Sequence, residues 1–187
     1  DRGIQREVIN VGTGLVQERH TSDFWVFEGV DKRDYAVSGT WGADGTTYFW
    51  DVTNPAQIRK IDSIQVDART VNDVKVSEDG RISVISREGA SSRRNGIVII
   101  DTTNPYDVNI ISEYTTNLTG GVHNVFIYQD HVFALSNGER FYVINIEDPK
   151  NPYEVGMFEI GEKGQAIHDV WIEDGIAYSS NWKHGVY

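Results

Sequence analysis

Short apolar runs, each opened by an acid or an amide, recur along this chain at a nearly fixed interval. They are Asp23-Phe-Trp-Val, Asp73-Val-Lys-Val, Asn124-Val-Phe-Ile and Asp169-Val-Trp-Ile, stepped by 50, 51 and 45 residues. A second block keeps the same beat: Tyr48-Phe-Trp-Asp-Val-Thr-Asn-Pro55, Val98-Ile-Ile-Asp-Thr-Thr-Asn-Pro105 and Tyr142-Val-Ile-Asn-Ile-Glu-Asp-Pro149. Between these markers, short apolar stretches alternate with turn signals, which predicts strands. In the third repeat the predicted strands are 124–129, 131–136, 140–146 and 153–160. Gln129-Asp130, Asn137-Gly138 and the segment from Asp148-Pro149 to Asn151-Pro152 separate them. The second repeat gives strands at 73–76, 81–86, 96–101 and 108–114. The first opens at Asp23, continues with 35–41 and 46–52, and ends near Val66. Glu78-Asp79-Gly80 and Glu173-Asp174-Gly175 read as hairpin turns in which glycine supplies a positive φ. One further strand is expected at 7–11, from a neighbouring unit. No segment carries a helical period.

Four short strands repeated about every 45 residues predict an all-β fold, a β-propeller of four-stranded antiparallel blades. The chain divides into a lead-in at 1–22, blades at 23–67, 68–118 and 119–164, and an incomplete blade at 165–187. About three blades are complete and the flanking ones are partial. In the incomplete blade Gly185-Val-Tyr187 matches Gly96-Ile-Val98, the start of a third strand. An unfinished blade exposes an edge and an apolar face. The expectation is a section of a longer ring of six or seven blades, or several copies closing one ring. A protein partner or self-association through the open edge follows from either.

Charge and composition narrow the function classes. The formal net charge of −11 repels phosphate backbones and anionic lipid, so nucleic-acid partners are not expected. The absence of cysteine removes disulfides, thiolate metal sites and cysteine nucleophiles. No apolar run approaches the ~20 residues of a membrane-spanning helix.

The in-phase polar positions are the candidate chemistry. In a propeller, inner-strand starts and second-strand ends lie at one mouth of the central channel. That gathers Asp23, Asn72, Asp73, His123, Asn124, His168 and Asp169, joined by Trp41, Arg87, Glu88, Asn137, Trp182 and His184. His123 and His168 hold equivalent places in adjacent repeats, where the earlier repeats carry Ser22 and Asn72. With Asp73 and Asp169 they form a candidate set for a divalent metal ion. The competing reading is structural: acids and amides at strand starts accept backbone N–H groups between blades. Trp41 and Trp182 suit stacking on a ligand or packing between blades. No nucleophile elbow occurs, and no catalytic residue is assigned.

The core Gly96-Ile-Val-Ile-Ile-Asp101, followed by Thr-Asn-Pro, resembles the LVIVD-repeat β-propellers. The likeness extends through Tyr35-Ala-Val-Ser-Gly-Thr-Trp-Gly42, Val71-Asn-Asp-Val-Lys-Val76, Gly120-Gly-Val-His-Asn-Val125, His168-Asp-Val-Trp171 and Asp174-Gly-Ile-Ala-Tyr178. The resemblance implies an extracytoplasmic prokaryotic protein, secreted, periplasmic or at the cell surface. It implies a binding or scaffold module and carries no defined reaction. The alternatives are a metal- or small-ligand-binding propeller, an enzyme included, and a structural subunit of a surface assembly.

Overall fold

The computed structural model of the chain describes residues 10–15, 19–161 and 166–187. The strand expected at 7–11 falls for the most part outside them. Almost all regular structure is strand. β1 (His20–Glu28), β2 (Asp34–Trp41), β3 (Thr46–Asp51) and β4 (Arg59–Gln65) form one antiparallel sheet in chain order. β5 (Val74–Val76), β6 (Ile82–Arg87), β7 (Gly96–Asp101) and β8 (Asn109–Tyr114) form a second. β9 (Val122–Tyr128), β10 (His131–Ser136), β11 (Arg140–Asn145) and β12 (Tyr153–Glu159) form a third. β13 (Asp169–Glu173) and β14 (Ile176–Ser180) make a two-stranded hairpin. Among the described residues the one helical feature is a 3-10 turn at Trp182–His184.

The fold is therefore all-β. β7 shows why its sequence is continuously apolar rather than alternating. Val98 and Ile100 enter the core shared with the first sheet, while Ile97 and Ile99 enter the core shared with the third. All four are fully buried. A strand covered on both faces has no polar side, and each such side chain contributes ~2 kcal/mol by burial. A third core joins the third sheet to the hairpin through Phe126, Leu135, Phe141, Val170 and Ile172. The hairpin turns follow the sequence: Asn137-Gly138 and Asp174-Gly175 each place two successive residues at positive φ, the type I′ geometry that matches strand twist.

The proline-bearing block has a local cause. Asp51, Asp101 and Asn145 each end a third strand and accept a backbone N–H two residues on, from Thr53, Thr103 and Glu147 at 2.9–3.1 Å. Asn54, Asn104 and Asp148 repeat the device, accepting from Ala56, Tyr106 and Lys150 at 3.1–3.2 Å. Two Asx turns in series need an acid or amide at each position.

The first strands of the four sheets lie beside one another in the order β1, β5, β9, β13. The rings of Trp25 on β1 and Phe126 on β9 approach to 6.5 Å, and Phe126 meets Trp171 on β13 at 4.8 Å.

Candidate functional site

The residue preceding each inner-strand marker is Ser22, Asn72, His123 or His168. In the first two sheets this side chain ties one sheet to the next. The Ser22 hydroxyl donates to the Val71 carbonyl, and Asn72 Nδ2 donates to the His123 carbonyl at 2.9 Å. The two histidines make no such tie. Their rings approach edge to face, 5.3 Å between centroids, and His168 meets Trp182 edge-on at 4.4 Å.

His123 Nδ1 lies 3.1 Å from Glu88 Oε1. A carboxylate only accepts, so that nitrogen carries the proton. The Glu88 hydrogen bond holds the His123 pKa above its ordinary value, against partial burial, with Asp73 and Asp169 adding attraction. Glu88, His123, His168 and Trp182 line a cleft of about 350 Å³ with Gly120, Gly121, Asn137 and Gly138. Gly120 packs closely there: a Cβ on it would lie 2.3 Å from the Asn137 side-chain amide, which would have to shift. Trp182 stands at the rim, 68% exposed.

The expected metal set does not form. Asp73 is 1% exposed, and its carboxylate accepts the amides of Val74 and Val125, each at 2.8 Å, and the Lys75 ammonium. It joins the second sheet to the third. Asp169 accepts the Val170 amide at 2.8 Å. Among the described residues no group of three His, Asp or Glu side chains is placed to hold a metal ion.

The remaining expected residues scatter. Asp23 pairs with Lys75 at 3.0 Å. Arg87 is buried and reaches across β7 to Glu113 on β8 at 2.8 Å, away from the histidines. Its Nε and Nη2 take no partner among the described residues, nor does the buried Asn124 Oδ1. Trp41 is exposed at the end of β2. Asn72 serves the inter-sheet tie described above.

Lys75 was not expected. It holds Asp23 and Asp73 together and lies 5.0 Å over the Trp25 ring. Burial pushes the Asp73 carboxyl up, and the Asp23 carboxyl beside it adds to that, while Lys75 opposes both. Its sequence signal is a broken repeat: the matching positions are Trp25, Phe126 and Trp171.

No family model matches the chain, and no curated protein matches it. Among solved structures it is similar to a hypothetical selenium-binding protein from Sulfolobus tokodaii, with 14% identity and a TM-score of 0.65. The match covers 86% of this chain and 46% of that one, so the chain spans about half the length of that protein. At this identity the likeness concerns the fold alone.

Proposed function

We propose that this chain is a section of a β-propeller of the LVIVD-repeat kind, acting as an extracytoplasmic binding module. Its ligand is a small polar molecule held in the cleft between His123, His168 and Trp182. Three consecutive four-stranded meanders with adjacent first strands support the propeller reading. One observation carries the site: the position that ties sheets together through Ser22 and Asn72 becomes a pair of facing imidazoles in His123 and His168. Glu88 orients the first ring, Trp182 offers a flat surface, and glycines bring backbone close to the ligand.

The test is ligand-observed NMR with a panel of monosaccharides and small hydroxy acids, on wild type and a His123→Ala/His168→Ala variant. Binding that disappears in the variant, with the thermal melt unchanged, supports the reading. A panel that gives no binder, or binders indifferent to the variant, refutes it.

A second reading has its own observation. Trp171 and Tyr178 pair across β13 and β14, and both are exposed. We propose that this face packs against a further sheet, in the same chain's continuation or in a second copy. Sedimentation of wild type and Trp171→Ser tests self-association: a dimer weakened by the substitution supports the second copy, and a monomer in both excludes it.

A further inference from the structure

The opposite end of the sheets carries a different break in the repeat. Backbone bonds fix the correspondence: Val52 N to Asp34 O, Thr102 N to Arg81 O and Ile146 N to Asp130 O. Tyr35, paired with Asp51, thus corresponds to Ile82, paired with Asp101. Arg59 corresponds to Asn109, each the β-partner of that acid. Tyr106 corresponds to Lys150 through their shared Asx turn.

Between the first and second sheets this end is plugged. The rings of Tyr35 and Tyr106 meet edge to face at 6.1 Å. Asp51 Oδ2 accepts from Tyr106 Oη at 2.8 Å and from the guanidinium groups of Arg33 and Arg59, each at 2.7 Å. Between the second and third sheets only the acid of the plug remains, as Asp101, and its other parts are replaced. Ile82 stands for Tyr35, Lys150 for Tyr106, Asn109 for Arg59 and Gly80 for Arg33. A cavity of about 550 Å³ opens there.

Its floor is the open end of the second core: Ile82, Ile111, Ile127 and Ile146. Its rim carries Glu78, Asp79, Asp101, Asp130 and Glu147. Two cations oppose them. Arg81 is engaged by Asp79 at 3.5 Å, and Lys150 lies close to Asp148. Asp101 accepts only the Thr103 amide and takes no cationic partner among the described residues. The rim acids are spread out, and no three His, Asp or Glu side chains among the described residues are placed to hold a metal ion. The fitting occupant has an apolar body for the isoleucines and a cationic head for Asp101.

We propose that this cavity binds a small organic cation, an arylalkyl guanidinium in chemical class. Its ring takes the place that Tyr35 and Tyr106 fill one junction earlier, and its head meets Asp101 as Arg33 and Arg59 meet Asp51. The volume lies within the range of small-molecule pockets, and a charged hydrogen bond to a planar fork supplies orientation. This site is separate from the histidine cleft and does not depend on it.

The test is calorimetric titration of the protein with 2-phenylethylguanidinium and with its uncharged isostere 2-phenylethylurea. The guanidinium should bind with one equivalent, and the urea at least about tenfold more weakly. Asp101→Asn keeps the acceptor for Thr103 and should weaken the cation by about tenfold. Ile82→Tyr/Lys150→Tyr rebuilds the plug and should abolish binding while the protein still melts cooperatively. His123→Ala/His168→Ala should leave the titration unchanged. Equal affinity for the urea, binding unaffected by the rebuilt plug, or no binding of the guanidinium overturns the proposal. If the plugged variant does not fold, Asp101→Asn alone decides: undiminished affinity overturns the proposal and a tenfold loss upholds it.

Discussion

Asp51 and Asp101 occupy the same place in successive repeats and make the same Asx turn, to Thr53 at 3.1 Å and Thr103 at 2.9 Å. Replacing each by alanine therefore removes one shared interaction and one that differs. The shared turn is worth ~1 kcal/mol. At Asp51 the substitution also deletes the acceptor for Tyr106, Arg33 and Arg59. The arginine side chains are 40% and 64% exposed and resolvate, so the loss falls below that of a fully buried pair. The total for Asp51→Ala is then about 3 kcal/mol, against about 1 kcal/mol for Asp101→Ala. For a chain of this length that lowers the melting midpoint by roughly 9 °C and roughly 3 °C. Scanning calorimetry at neutral pH measures both. The pH dependence adds a second check. Burial raises the Asp51 pKa, but hydrogen bonds from Tyr106, Arg59 and Thr53 outweigh it and hold the carboxyl well below the usual range. A carboxylate depressed in the folded state contributes fully above its unfolded value, near 3.8. That contribution is lost as pH falls through the folded value. The gap between wild type and Asp51→Ala should stay constant from about pH 8 to 5 and close in stronger acid. Equal destabilisation by the two substitutions, or a gap that widens in acid, refutes the assignment of the plug.

Other outcomes follow from the same contacts. Glu88→Gln should lower the His123 pKa toward the ordinary imidazole value, read from the ring shifts in an NMR titration; an unchanged midpoint would remove Glu88 as the cause. A raised histidine pKa stabilises below the unfolded value and loses that contribution as pH rises through the folded one, so wild type should gain stability over Glu88→Gln as pH drops from about 8 to 6. Asp73→Ala leaves Lys75 with Asp23 alone and strands the Val125 amide, and should destabilise by about 2–3 kcal/mol, with Val125 exchanging its amide proton much faster. Gly39→Ala would bring a Cβ within 2.2 Å of the Val71 carbonyl oxygen, so it should cost at least ~2 kcal/mol in urea unfolding; a neutral effect would mean that the first and second sheets separate easily.

Strand positions were legible because their causes are local. Asn137-Gly138 and Asp174-Gly175 fix hairpins through backbone conformation alone, and the apolar run at 97–100 announces a strand with two buried faces. The candidate site was legible only in part. His123 and His168 stand out since they interrupt a periodic position, and the structure brings them together. Asp73 carried two readings, because an acid at a strand start looks the same whether it faces a cleft or a backbone amide, and its bond to the next sheet fits the structural one. Its partner Val125 lies 52 residues away, and no pattern within one repeat reveals that bond. The partner of Arg87, Glu113, is hidden from the sequence in the same way, since it stands two strands over.

Periodicity explains both the successes and the failures. Residues that obey the repeat do structural work: Ser22 and Asn72 hold sheets to their neighbours, and the paired Asx turns shape the loop that ends each third strand. Residues that break it are released from that duty. Three breaks stand out: the histidine pair for the serine and asparagine, Lys75 for an aromatic, and Ile82 with Lys150 for the two tyrosines. Each falls where side chains from different sheets meet, and two of the three line cavities. Lys75 is the instructive exception, for its break is answered inside the protein by Asp23 and Asp73. At the other two the answer is partial: Glu88 meets His123 Nδ1 and Asp148 lies near Lys150, yet a cleft and a cavity stay open beside them, which is the physical reason to look for a ligand there.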